Sequence, residues 1–195
     1  MKILLFGGSG QLGHDLRIRA GALNFEIISP VSSEIDIADR EQVHHLVNTV
    51  RPQLIVNSAA YTQVDKAEED SVTAFAVNRD GARYIAEAAL SVAARMFHLS
   101  TDYVYDGDAD TPITEDRPTS PINVYGQSKL EGEQAVRDIL PEHSLILRTA
   151  WLHGSHGKNF VQTMIKLFQE KKAVSYTHLR AHETKANLVC RLLLE

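Results

Sequence analysis

Cysteine is nearly absent from this sequence. Cys190 is the single one in 195 residues, so no disulfide can close within the chain. A reducing cytoplasm is therefore the expected compartment. Also lacking is any apolar run long enough for a transmembrane helix, which argues against a membrane partner. The opening Met1-Lys-Ile-Leu-Leu-Phe6 is apolar for too few residues to act as a signal peptide. A net charge of −5 and the lack of basic clusters exclude a nucleic-acid-binding face. No internal repeat is present. What remains, 44% hydrophobic and 23% charged residues, is the composition of an ordinary globular domain.

The residues that are present alternate between two periodicities. Lys2 to Phe6 reads as a buried parallel strand, and Gly7-Gly-Ser-Gly-Gln-Leu-Gly13 follows it at once. Leu12 and Leu16 then begin a helix ending near Gly21. Strand, glycine turn and helix together form a dinucleotide-binding entry, where glycines let the backbone approach a pyrophosphate. The spacing is Gly7-x-x-Gly10-x-x-Gly13 rather than G-x-G-x-x-G. Phe25 to Ser29 is the second strand. Its end offers Ser29, Ser32 and Ser33, neither an acid for a ribose 2′-hydroxyl nor an arginine for a 2′-phosphate. The choice between NADPH and NADH stays open on these residues.

Asp39 is placed to cap a helix with Val43, Leu46, Val47 and Val50 on one side, stopped by Pro52. Gln53 to Asn57 is the third strand, and the small residues after it leave room for a ligand. Asp65 to Asp70 reads as a solvated acidic face. A long alanine-rich helix is expected from about Ser71 to Ala93, with Asn78 facing solvent if taken alone. Met96 to Ser100 is a strand running into Thr101, whose hydroxyl would sit at the mouth of the crevice. Asp106 to Pro121 is a long loop, of the kind that is often functional. Ser144 to Arg148 is a further strand. Asn159 to Gln169 is a last helix, with Phe160, Met164, Leu167 and Phe168 expected in the core. His153 and His156 read as loop residues. This alternation predicts an α/β fold, a Rossmann-like doubly wound parallel sheet.

Tyr125 and Lys129 lie four residues apart after the proline-punctuated Ser120-Pro-Ile-Asn-Val124. On a helix they share one face. An ammonium held near a phenol would pull down its pKa of about 10 and make it a general acid/base near neutrality. By itself the spacing is that of any surface helix; the glycine turn and Thr101 give it weight.

In combination these features resemble the extended short-chain dehydrogenase/reductases. Val56-Asn-Ser-Ala-Ala-Tyr-Thr-Gln-Val-Asp-Lys-Ala-Glu68 and Leu99-Ser-Thr-Asp-Tyr-Val-Tyr-Asp-Gly107 look like segments of the dTDP-4-dehydrorhamnose reductase family. Ser120 to Glu133, Leu147-Arg-Thr-Ala-Trp151 and Asn159-Phe160 fit the same family. The resemblance implies reduction of dTDP-4-dehydro-L-rhamnose to dTDP-L-rhamnose, a step in making a cell-surface sugar donor. Tyr125 would protonate the C4 oxygen, Lys129 would lower the Tyr125 pKa and bind the nicotinamide ribose, and Thr101 would polarise the carbonyl. Asp102, Tyr103 and Trp151 would line the sugar site. Gly7, Gly10, Gln11, Leu12 and Gly13 would hold the pyrophosphate, with Asp36 and Ile37 near the adenine and Ala59, Ala60 and Tyr61 along the cofactor. Asn78 matches an asparagine of the family's long helix. The family commonly prefers NADPH, and some members are Mg2+-dependent dimers; no metal site can be pointed to in this sequence.

Against the family pattern, the resemblance stops near Ser175. Residues 1–175 would be the NAD(P)-binding Rossmann domain with the start of a substrate lobe that is otherwise largely missing. The stretch 176–195 reads as foreign, like translated sequencing-adapter read-through, and the chain as an incomplete reductase. His178, His182 and Glu183 in that stretch lack a third metal ligand. Two alternatives use the same scaffold. A nucleotide-sugar dehydratase or epimerase would be expected to carry an acidic pair after Thr101, where this chain has Asp102-Tyr103. A non-catalytic regulatory subunit would be expected to lack Tyr125 or Lys129.

Overall fold

The computed structural model describes residues 1–109 and 111–170. The elements are β1 (Lys2–Phe6), α1 (Gln11–Ala22), β2 (Glu26–Ile28), α2 (Arg40–Val50), β3 (Leu54–Asn57), α3 (Val64–Glu69), α4 (Ser71–Phe75), α5 (Ala82–Ser91), β4 (Arg95–Thr101), α6 (Val124–Ile139), β5 (Ser144–Thr149) and α7 (Phe160–Glu170). The strands form one five-stranded sheet in the order β2-β1-β3-β4-β5, every pair parallel. The order reverses between β1 and β3, so a crevice opens beyond the carboxyl ends of those two strands. The doubly wound sheet expected from the alternation is the fold observed.

One face of the sheet carries Leu4, Phe6, Ile55 and Met96, fully enclosed beneath Val43 and Val47 of α2, Ile85 and Ala89 of α5, and Val136 of α6. Burial of each large aliphatic contributes about 1.5–3 kcal/mol. The opposite face carries Ile3, Leu5 and Val56, against which Leu16 of α1 packs. Asp39 caps α2 as expected, accepting from the amides of Glu41 and Gln42 at 3.0 and 3.1 Å. The chain leaves α2 through a left-handed Arg51 (φ 50°) before Pro52.

Two expectations need correction. The long helix from Ser71 to Ala93 is interrupted by a π-helical stretch, Ala76–Gly81. The wider turn brings Asn78 inward, and it is buried. The acidic stretch is solvated as expected, with Asp65, Glu68 and Glu69 exposed on α3, and Glu68 Oε1 also accepts from the Val124 amide at the start of α6 at 2.8 Å. No residue of α7 is buried, including the four apolar side chains expected in the core. Among the described residues no layer covers that helix, and a helical apolar stripe needs a partner before it becomes core.

Candidate active site

Four loops meet at the carboxyl edge of the sheet. After β1, Gly7 adopts φ 81° and accepts the Gly10 amide at 3.0 Å. A Cβ on Gly7 would lie 2.5 Å from the Ala59 nitrogen, and one on Gly13 would lie 2.2 Å from the Gly7 oxygen. The first turn of α1 therefore closes tightly on the loop, and the loop abuts Ser58-Ala59 after β3. Gly10 caps α1 without a side-chain bond, and no acid lies in the first turn. The amides of Gln11, Leu12 and Gly13 are thus left as a positive helix end that suits a pyrophosphate. The cradle fits a dinucleotide.

The β3 loop is fixed from below. Asn57 Oδ1 accepts the Ala59 amide at 3.1 Å, and Asn57 Nδ2 meets His98 Nδ1 at 3.2 Å. Asn78 accepts from the Tyr61 amide at 2.9 Å and donates to the Tyr61 carbonyl and Ser128 Oγ at 3.0 Å each. Through Asn78 the segment Ala59-Ala60-Tyr61 is tied to α6. Gly132 of α6 permits this: a Cβ there would meet the Asn78 carbonyl oxygen at 2.2 Å. The π-stretch and α6 can approach this closely only with a glycine at the contact.

Asn123 caps α6, its Oδ1 accepting the Gly126 amide at 2.7 Å, so Tyr125 stands in the first turn. Tyr125 shares a cleft wall with Thr101. Thr101 donates to Asp102 Oδ1 at 3.1 Å and accepts the Tyr103 amide at 3.3 Å. The Tyr103 ring sits edge-on to Tyr125 with centroids 5.4 Å apart. Thr101, Asp102, Tyr103, Tyr125 and Trp151 line one cleft of about 330 Å³. Trp151 adopts a left-handed φ of 53° and stacks edge-on against Phe160 at 5.3 Å. For a bulky residue that backbone conformation is unfavourable and must be held by its surroundings.

Lys129 is buried one turn below Tyr125, and Nζ donates to the Leu99 carbonyl at 2.6 Å. Burial lowers its pKa to about 8, and the charge of Glu133 opposes that fall. The depressed phenol pKa expected from the Tyr-Lys pair is not observed. Burial pushes Tyr125 upward, Asp102 and Tyr103 add to this, and the Thr101 side chain only partly offsets it. The reason is geometric: the ammonium is spent on the strand carbonyl rather than on the phenol. Beside it, His98 is held well below its usual pKa, first by burial and then by the Lys129 charge.

Two expected cofactor residues have structural tasks. Ile37 lies in the core against Gly81, and Asp36 Oδ1 accepts the Ala38 amide at 2.9 Å in a local turn. His153 and His156 lie in a loop as expected, with His156 stacked on His14 of α1 at 3.8 Å. Asn159 reinforces that junction, donating to Gln11 Oε1 at 2.9 Å. Among the described residues no group of three or more His, Cys, Asp or Glu side chains could hold a metal ion, and no helix is long and apolar enough to cross a membrane.

Sequence reasoning missed Thr62, Val64, Ser100, Thr149, Ala150 and Leu152 in the cleft wall, and Asn57 and His98 beneath it. A polar residue inside an otherwise apolar strand, as at Asn57 and His98, was the available signal for the last two.

The whole sequence, residues 1–195, matches the protein family described as the RmlD substrate binding domain. The chain belongs to this family. This RmlD-family chain is 44% identical over 171 residues to a dTDP-4-keto-6-deoxy-D-glucose reductase of Streptomyces niveus, covering 88% of the chain and 59% of that protein. It is 44% identical over 167 residues to a dTDP-4-dehydrorhamnose reductase of Sinorhizobium fredii, covering 86% of the chain and 56% of the relative. Among solved structures, dTDP-4-dehydrorhamnose reductase of Bacillus anthracis in complex with NADP superposes with a TM-score of 0.84 at 39% identity, covering 87% and 60% of the two chains. The RmlD-family chain thus spans somewhat under two thirds of the length of these relatives. Residues 176–195, expected to be foreign, lie outside the described residues, and so do His178, His182 and Glu183.

Proposed function

We propose that this chain carries the catalytic and cofactor-binding part of an NADPH-dependent reductase acting on the C4 carbonyl of dTDP-4-dehydro-L-rhamnose, giving dTDP-L-rhamnose. The observation that carries the reading is that Tyr125 and Thr101 line one cleft together with Asp102, Tyr103 and Trp151, at the carboxyl edge of the sheet that also carries the glycine cradle. The nicotinamide, when bound, supplies a hydride to C4. Tyr125 supplies the proton to the C4 oxygen from its hydroxyl and is reprotonated from solvent. A phenol whose pKa is raised keeps its proton at neutral pH, which suits an acid in the reducing direction better than a base. Thr101 orients the carbonyl by exchanging its Asp102 partner for the substrate oxygen. Lys129 places its charge under the ribose side of the site. The names of the family relatives and the NADP held by the Bacillus structure support this choice of substrate class and cofactor. The reading takes in a reducing cytoplasm; a homodimer and Mg2+ rest on family resemblance alone.

The test is consumption of NADPH with dTDP-4-dehydro-L-rhamnose, in this chain and in a version carrying a relative's remaining C-terminal residues. Tyr125→Phe is expected to lower turnover by about 10²–10⁴-fold while NADP+ affinity, measured by calorimetry, stays unchanged. Turnover that survives the Tyr125→Phe change would overturn the assignment. The Streptomyces relative's name favours a second substrate, dTDP-4-keto-6-deoxy-D-glucose. Running both sugars side by side decides between them.

A further inference from the structure

The end of β2 has no acid to receive a ribose 2′-hydroxyl, and the residue that takes its place is Ser29. Its hydroxyl is buried and has no hydrogen-bond partner among the described residues. It stands directly against the glycine turn: a Cβ on Gly8 would lie 1.7 Å from Ser29 Oγ and 3.4 Å from the Cδ of Arg17. Arg17, on α1, therefore runs its stem past the same turn. His14, Arg17, Ile18, Ile27 and Ser29 line an open cleft of about 470 Å³ between α1 and β2. Among the described residues no carboxylate pairs with Arg17. Of the acids in β2 and the loop after it, Glu34 Oε2 accepts the Val31 amide at 3.0 Å, Asp36 closes its own turn, and Glu26 lies 3.7 Å from Lys2.

An unpaired guanidinium and an unpartnered hydroxyl thus flank the place where the adenosine ribose must lie once a pyrophosphate sits on the loop. From that juxtaposition we infer that Arg17 and Ser29 form the subsite for a phosphate on the ribose 2′-oxygen, and that Arg17 is the residue selecting the phosphorylated dinucleotide. The sequence hides this, because the arginine comes from the helix after the glycine turn and not from the end of β2. Arg17 presents a fork of donors to a dianion, and Ser29 donates one hydrogen bond to a phosphate oxygen. An acid at position 29 would repel the same group.

The inference rests on the dinucleotide reading of the glycine loop, and binding of the two oxidised dinucleotides separates the claims without recourse to turnover. Calorimetry with NADP+, NAD+ and adenosine 2′,5′-bisphosphate is measured on the chain and on three variants. Arg17→Met should weaken NADP+ and the bisphosphate by about 10- to 100-fold, the range for losing charge-assisted hydrogen bonds, while NAD+ is unchanged. Ser29→Asp should invert the preference by weakening NADP+ and strengthening NAD+. Arg19→Met, also exposed on α1, should leave both alone. Equal losses for NADP+ and NAD+ in Arg17→Met, or no loss in either, would overturn the role of Arg17 while leaving the dinucleotide site intact. No binding of either dinucleotide to the unaltered chain would overturn the site and this inference together.

Discussion

The two faces of the sheet are treated unequally by the same strands. On the first, Leu4, Phe6, Ile55 and Met96 are sealed beneath α2, α5 and α6. On the second, α1 covers Ile3, Leu5 and Val56, but Phe97, Leu145 and Leu147 of β4 and β5 remain 37%, 47% and 41% exposed. All-parallel sheets are normally buried on both faces, so the bare strip is the unusual half. The sealed face also holds the polar groups of the site: Asn57, His98, Lys129, Ser128 and Glu133 are all buried. A buried charge persists only where its partners are held in place, and three packed helices hold them. The proposed chemistry would thus be anchored on the enclosed face, while the bare strip bears on association and solubility.

The largest expected effect breaks the sealed face at Glu133. Its fully buried carboxylate accepts from Arg148 Nε and Nη2 at 2.9 and 2.6 Å and from Arg137 Nη2 at 2.8 Å. Arg148 in turn donates to the Tyr105 hydroxyl and lies over its ring. Glu133→Gln keeps the shape and removes the charge, leaving Arg148 and Lys129 without their compensating anion. A loss of about 3 kcal/mol is expected in denaturant unfolding. A change under about 1 kcal/mol would show that the enclosed face tolerates unpaired charge and that the contrast between faces is not electrostatic.

How much of this was legible beforehand follows the same division. The strands announce themselves as apolar runs and α2 by its periodicity and its Asp39 cap, because Val43 and Val47 are buried against the sheet, whereas α1 and α6 are marked by the glycine turn and the proline-punctuated loop before them. The residues of the reactive cleft were found through Thr101, Tyr125 and Trp151, which lie at the ends of those legible elements. Asn78 could not be placed, since the π-stretch that turns it inward arises from contacts with Tyr61 and Ser128 far along the chain. The Tyr125 pKa was misjudged for a related reason: four-residue spacing puts Lys129 on the right face of α6 but not its ammonium on the phenol. Its donation to the Leu99 carbonyl is a tertiary fact. For α7 the stripe is real, but its partner is not encoded in the stripe.

Lys129 sharpens the comparison through pH. Its pKa is about 8 in the folded chain, against 10.5 ordinarily. Below pH 8 both folded and unfolded states carry the proton, and the folded state bears the full desolvation penalty, roughly 3 kcal/mol. Between pH 8 and 10.5 the unfolded state binds more protons, so this group makes stability rise with pH. Lys129→Met removes the penalty and forfeits one charge-assisted hydrogen bond worth about 1.5–3 kcal/mol. At pH 7 the variant should be more stable by up to about 1.5 kcal/mol, with the difference shrinking as pH approaches 10. Urea unfolding of both proteins at pH 7 and 9.5 checks this, and a variant that is less stable at pH 7 would show the ammonium to be better compensated than its burial implies.

The smallest effect on stability is expected on the bare strip. Leu145→Thr with Leu147→Thr places β-branched strand formers on an edge strand and removes exposed apolar surface. Residues already about half exposed lose only part of their transfer energy when made polar, so unfolding free energy should change by about 1 kcal/mol or less. The matched change on the sealed face, Ile55→Thr, removes a fully buried side chain and should cost about 3 kcal/mol. What the paired leucine change should alter is self-association, because contiguous exposed apolar surface drives contact between copies. Sedimentation velocity across a concentration series should show the unaltered chain associating and the double variant remaining dispersed. If the leucine pair proved as costly to replace as Ile55, the strip would be covered in solution and the two faces of the sheet would be alike.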